Sequence, residues 1–214
     1  MKNHLKHSVN LLLVISFLML GSVSAFSQNK EAGRVAELDE MDFNEILHSV
    51  DLGKNADDIR KKQIDEGKNL LKFFNKSNGC NVETFRNKEV IVVTIPAHLL
   101  FAPNEVDLSS KAGDYLEHFK KYLKEPDKYR VLLVMHTDNT GSELYREWLT
   151  EDRADAIFDW FDQTNGIDTS YLFTYSFADE NPLFDNDSKQ NREKNRRLEV
   201  YIMPGQKMVD QYKK

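Results

Sequence analysis

The sequence predicts an α+β fold in which helices pack on one face of a mixed sheet, preceded by a short helical segment. Short β-prone runs at 82–85, 90–95, 131–135, 171–177 and 197–203 are separated by stretches with apolar residues at helical spacing, above all 112–123 and 142–161. After the first run, paired as a hairpin with the second, the order is strand, helix, strand, helix, strand, loop, strand, which suits helices gathered on one side of a sheet. No internal repeat competes with that architecture.

The 214-residue chain opens with Lys2 and Lys6, an apolar centre from Leu11 to Leu20, and Val23, Ser24 and Ala25 before Phe26. That is the pattern of a secretory signal peptide over residues 1–25. Its apolar run is shorter than the roughly 20 residues a spanning helix needs. No cysteine directly follows it, so a lipid anchor is not expected. Removing residues 1–25 takes away two lysines and no acid and moves the net charge from -6 to -8. A chain of that charge repels a polyanion, and its one basic cluster, Arg192 to Arg197, is interrupted by Glu193, so nucleic acid is not an expected partner. Cys80 is the single cysteine, which excludes an intramolecular disulfide and a multi-cysteine metal site.

Residues 26–80 form a polar linker and helical segment. The linker is acidic, with only brief apolar clusters such as Phe43, Ile46 and Leu47. From Asn55, a candidate cap, ADDIRKKQIDEGKNLLKFF supports a helix with Asp57 and Asp58 early and Ile59, Leu70, Leu71 and Phe74 as its apolar contribution, weakened by Gly67. Packing against the following domain is the expected role of that helix.

A hairpin comes next, Val82 to Phe85 and Val90 to Ile95 around Arg86, Asn87 and Lys88, and it leads into Pro96. Ser109 or Ser110 is placed to cap a helix carrying Ala112, Tyr115, Leu116, Phe119, Tyr122 and Leu123. Pro126 stops it before a central strand, Val131 to Met135. His136, Thr137, Asp138, Asn139, Thr140 and Gly141 then collect polar, turn-favouring side chains at the end of that strand. A helix starts near Ser142, and folding it back on its strand would bring Arg153 towards Asp138. Asn165 and Gly166 mark its stop. Tyr171 to Phe177 forms a strand, Asp179 to Gln190 a polar loop, Arg197 to Met203 the last strand, and residues 207–214 a tail.

HTDNTG at 136–141, then Leu149, Thr150, Arg153 and Ala154, then Asn195, Arg196, Arg197 and Leu198 closely resemble the motifs of the peptidoglycan-binding OmpA-like C-terminal domain, in order and spacing. The resemblance covers roughly residues 85–205 and sets the domain at 81–206. It implies non-catalytic binding of the peptidoglycan stem peptide at its diamino-acid residue, usually meso-diaminopimelate, by an exported, periplasmic protein associated with the outer membrane that tethers the envelope to the wall. No cofactor or metal is implied. The family's aspartate and arginine fall on Asp138 and Arg153. Such a pair suits a zwitterion, because guanidinium takes a carboxylate through two parallel hydrogen bonds while aspartate takes the neighbouring ammonium.

Asn104 falls where the family's first loop reaches the ligand, Thr137 and Asn139 flank Asp138, and Arg197 matches an arginine of the N-R-R motif. Each of these four is equally readable as a structural hydrogen-bonding residue. Phe101 fits the core or the pocket edge, and Asn195 fits a loop tie. Arg146 replaces the family's usual asparagine and adds a second cation beside the pocket. Met135 and Ser176 stand at positions commonly glycine.

Other function classes find less support. Residues 26–84 number 59, against the roughly 70 to 90 strand residues of the smallest outer-membrane barrels, so no barrel is expected there. A structural component of an envelope-spanning assembly, docking a partner through residues 26–80, is the alternative. Catalysis has thin support: His136 and Asp138 have no further histidine nearby in the sequence to complete a metal site or an acid and base pair.

Overall fold

The computed structural model describes residues 50–213. The expected signal peptide and the clusters at Phe43, Ile46 and Leu47 lie outside the described residues. A 3-10 turn at Gly53–Asn55 leads into α1 (Ala56–Leu71), followed by β1 (Asn81–Phe85) and β2 (Val90–Pro96). Next come α2 (Ala112–Leu116), which tightens into a 3-10 helix at Glu117–Leu123, and β3 (Tyr129–His136). The chain continues with α3 (Glu143–Asp162), β4 (Leu172–Ser176), α4 (Lys189–Asn195), β5 (Arg197–Pro204) and α5 (Gln206–Tyr212).

The sheet order is β1-β2-β5-β3-β4, antiparallel throughout except for the parallel β3/β4 pair. The middle of the five-stranded sheet is therefore β5, and the expectation of a central 131–135 strand is corrected: β3 lies between β5 and β4. Register explains why these sequences settle as they do. Ile91, Ile202 and Val131 lie side by side, as do Val93, Val200 and Leu133, and then Ile95, Leu198 and Met135. All nine belong to one buried cluster with Ile59, Phe74, Leu116, Phe119, Ile157, Phe161, Met208 and Val209, so α1, α2, α3 and α5 all cover the same face. A one-residue slip in β5 would exchange Leu198, Val200 and Ile202 for Arg197, Glu199 and Tyr201, which fixes the register.

α1 packs into this core as expected. Ile59 and Leu70 are buried, and the Gln63 amide donates to the carbonyls of Glu89 (2.7 Å) and Ile202 (3.1 Å). A Cβ at Gly67 would sit 3.7 Å from Thr84, an ordinary contact, so the glycine lies snugly over the hairpin without breaking the helix. Residues 56–80 thus share one core with the sheet, and the folded unit begins well before residue 81.

Several local expectations are corrected. Leu71 faces solvent, because Leu70 and Phe74 already fill the inward face at the helix end. Asn55 occupies the cap position without a side-chain bond. Neither Ser109 nor Ser110 caps α2, which starts after Lys111, and most of the 112–123 segment is 3-10 helix. α3 ends at Asp162, where the Gln163 amide closes onto Asp159 and Phe161, ahead of Asn165 and Gly166. The polar loop contains α4, capped by Ser188. The 207–214 tail is largely α5, held because Met208 and Val209 are buried in the core.

Candidate functional site

The pocket is assembled where the first residues of β5 and the last of β3 meet, Arg197 being in register with His136. Beyond His136 the chain leaves the sheet, and Thr137 is still pinned by its amide to the Ala178 carbonyl at 2.6 Å. Asp138 then folds its side chain back on the turn. Its Oδ1 accepts from the Thr140 amide at 2.8 Å and from the Thr140 hydroxyl, and its Oδ2 pairs with the Arg196 guanidinium. Only 1% of Asp138 is exposed, so a carboxylate held this deep needs these donors. At Gly141 (φ 90°) a Cβ would meet the Tyr145 ring at 2.8 Å, so the turn closes over that ring only with glycine. Ser142 caps α3 by accepting from the Tyr145 amide.

α3 delivers the second charged residue. Arg153 is 4% exposed, its guanidinium sits 4.7 Å above the Phe101 ring, and it donates to the backbone carbonyls of Glu105 (2.8 Å) and Ala102 (3.2 Å). Phe101 is thus both a core residue and the platform of the pocket cation. The loop it grips contains Asn104, which adopts φ 61° and accepts from the Tyr145 hydroxyl at 3.1 Å. Burial, chiefly, together with the nearby Arg196 cation holds Arg153 below its ordinary pKa, with Tyr145 pulling the other way. Arg153 makes no ion pair with a carboxylate among the described residues.

The residues singled out from sequence therefore divide. Asp138 and Arg153 are neighbours through Arg196, which pairs with Asp138 and acts electrostatically on Arg153, Asn104 joins them through Tyr145, and Asn139 is exposed beside Asp138; the ionic partner of Asp138 is Arg196 and not Arg153. Thr137 is buried and held by its backbone. Arg146 is not a spare cation: its Nε pairs with Asp179 at 2.6 Å and its Nη1 donates to the Gly141 carbonyl at 2.7 Å, which ties the turn to the segment after β4. Arg197 points to the other face of the sheet and is 1% exposed, engaged by Glu199 (2.7 Å) and by the carbonyls of Asn195 and Asn181. Asn195 ties its loop, exchanging bonds with both backbone groups of Phe184. Sequence reasoning missed Arg196 and Tyr145. Arg196 stood beside the chosen arginine in the motif, and the alternation of β5, which buries Arg197 opposite Leu198, was the signal that could have separated them.

His136 is buried, with Nδ1 3.3 Å from the Glu180 carbonyl and its ring stacked on Phe177. No group of three or more His, Cys, Asp or Glu side chains among the described residues is placed to hold a metal ion. The arrangement gathers fixed buried charges of both signs beside exposed turn residues, which suits a ligand that carries both signs. A separate cavity of about 310 Å³, lined by Val50, Leu52, Arg60, Val90 and Met203, opens at the opposite end of β5 and includes none of these residues.

Residues 100–196 match the model of the OmpA family. The chain is 27% identical over 133 residues to the protein named "Probable lipoprotein YiaD" of Escherichia coli K12, a match covering 62% of this chain and 60% of that protein's length. It is 22% identical over 144 residues to the "Peptidoglycan-associated lipoprotein" of Buchnera aphidicola, covering 67% of this chain and 78% of that one. Among solved structures, the cell wall anchor of the T6SS from Pseudomonas aeruginosa superposes with a TM-score of 0.55 at 26% identity, covering 64% of this chain and 95% of that structure.

Proposed function

We propose that this chain, whose residues 100–196 match the model of the OmpA family, binds the stem peptide of peptidoglycan without chemical change and so tethers the envelope to the wall. The observation that carries this reading is Arg153, a buried guanidinium fixed by backbone carbonyls that meets no carboxylate among the described residues, beside the Asp138–Arg196 pair. Such a cation accepts a carboxylate from outside. Asp138 keeps acceptor capacity beyond the donors it already has, enough for one ammonium. A diaminopimelate-type residue offers both groups on one carbon. The names of the peptidoglycan-associated relative and of the cell wall anchor agree with a wall ligand. The same reading puts the protein in the periplasm, associated with the outer membrane; no helix among the described residues is long and apolar enough to cross a membrane.

Charged hydrogen bonds contribute about 1.5 to 3 kcal/mol each, so a pocket with little apolar area binds one stem peptide weakly and relies on many copies facing a polymer. Cosedimentation of the full chain with isolated sacculi tests the reading. Asp138→Asn and Arg153→Ala, each verified as folded by circular dichroism, should each weaken binding at least about tenfold. Undiminished pelleting of both variants would sink it.

A further inference from the structure

The first turns of α3 carry a large uncovered aromatic and apolar surface. Leu144 is 75% exposed and Trp148 45% exposed, one helical turn apart, and the Trp148 ring lies 5.9 Å from that of Tyr145 at 42°. Tyr145 is the link to the pocket, because its hydroxyl donates to Asn104 and its ring packs against Gly141. Pocket, Tyr145 and Trp148 therefore make one continuous surface. The polar groups along it are acidic: Glu143 and Glu147 are exposed on the same helix, with Glu180 close enough to feel both charges.

Those features narrow the occupant. An anionic partner would be repelled by the three glutamates, and a purely apolar one would strip them of water. A neutral pyranose ring fits both halves, with its C–H face laid against indole and its hydroxyls donating to carboxylates. We propose that Trp148, with Leu144 and Tyr145, forms a saccharide subsite that takes the glycan chain to which a bound stem peptide is covalently attached. The proposal rests on the peptidoglycan reading of the adjoining pocket and adds sugar recognition to it. Once its lactyl acid is amidated by the peptide, a muramic sugar carries no charge to oppose the glutamates.

The test compares two soluble probes on the full chain by titration calorimetry and tryptophan quenching: a diaminopimelate-containing tetrapeptide, and the same tetrapeptide carrying its disaccharide. Wild type should bind the disaccharide form about five- to tenfold tighter. Trp148→Ala should abolish that preference with affinity for the bare peptide unchanged, and Trp148→Phe should retain most of it. Equal affinities in wild type, or an equal loss for both probes in Trp148→Ala, would overturn the subsite with the pocket intact. Failure of both probes to bind would instead remove the pocket reading and this one together. Concentration-dependent dimerisation that Trp148→Ala abolishes would reassign the surface to a second copy.

Discussion

Arg196 and Arg197 are adjacent and chemically identical, yet their surroundings give them different work. Arg196 is one-third exposed at its side chain and neutralises Asp138, while the Arg197 side chain is 2% exposed and bonded to Glu199. Arg196→Ala should cost about 1 to 3 kcal/mol of stability by leaving Asp138 short of a partner, and it should also weaken wall binding. Arg197→Ala leaves Glu199 buried without its cation and should cost about 3 to 5 kcal/mol, with binding by the remaining folded protein little changed. Denaturant midpoints and sacculus pelleting of both variants check the contrast; a larger binding defect in folded Arg197→Ala would reverse the assignment. The sequence placed both residues in one motif, and what separates them is a side-chain direction set by the strand's alternation.

At the scale of elements, the joint between α1 and the 3-10 segment after α2 is held by one carboxylate. Glu66 pairs with Lys121 (2.6 Å) and Lys62 (2.9 Å) and accepts from the Tyr122 hydroxyl at 3.1 Å. Burial alone would raise its pKa, and the two ammonium groups outweigh that and hold it below 4.5. A depressed carboxylate stabilises the fold above its unfolded pKa, and the contribution is lost as pH falls through the folded value. Glu66→Gln should therefore lower stability by about 1 kcal/mol near neutrality. The gap from wild type should close as the pH falls below the ordinary carboxylate range, as thermal melts across pH would show. A gap that persists in acid would mean the loss is one of packing. Sheet strands were legible as short β-prone apolar runs, and the two long helical stretches because their apolar residues recur at three and four. α4 was not, since KQNREKN has no apolar residue to set a period and is held by Ser188 and by loop contacts of Asn195. The Asp138–Arg196 pair spans 58 residues, beyond any local pattern.

In the molecule as a whole, the C-terminus closes the core. Gly205 donates to the Lys128 carbonyl, and a Cβ there would lie 2.1 Å from the Asp127 carbonyl oxygen, so α5 docks against the start of β3 only with glycine. Gly205→Ala should cost about 1 to 3 kcal/mol and lower the melting temperature, because rigid backbone and not a pliable side chain obstructs it. A melting temperature equal to that of wild type would show that the backbone yields there. The helix-covered face of the sheet was foreseen, whereas the helical nature of the last residues was hidden by the shortness of their apolar content, Met208 and Val209 alone.

The strand order also acts in time as well as in space. Among the described residues β5 supplies the only ladders between the hairpin β1/β2 and the β3/β4 pair, and it is the last of their strands to be synthesised. Until then no ladder joins the β1/β2 hairpin to the β3/β4 pair. Non-local pairing of this kind is slow and cannot begin before its final member exists. The sheet of the described residues therefore cannot close before β5 has been made, and up to that point the strands already synthesised stay open to threading rather than locked in the native ladder.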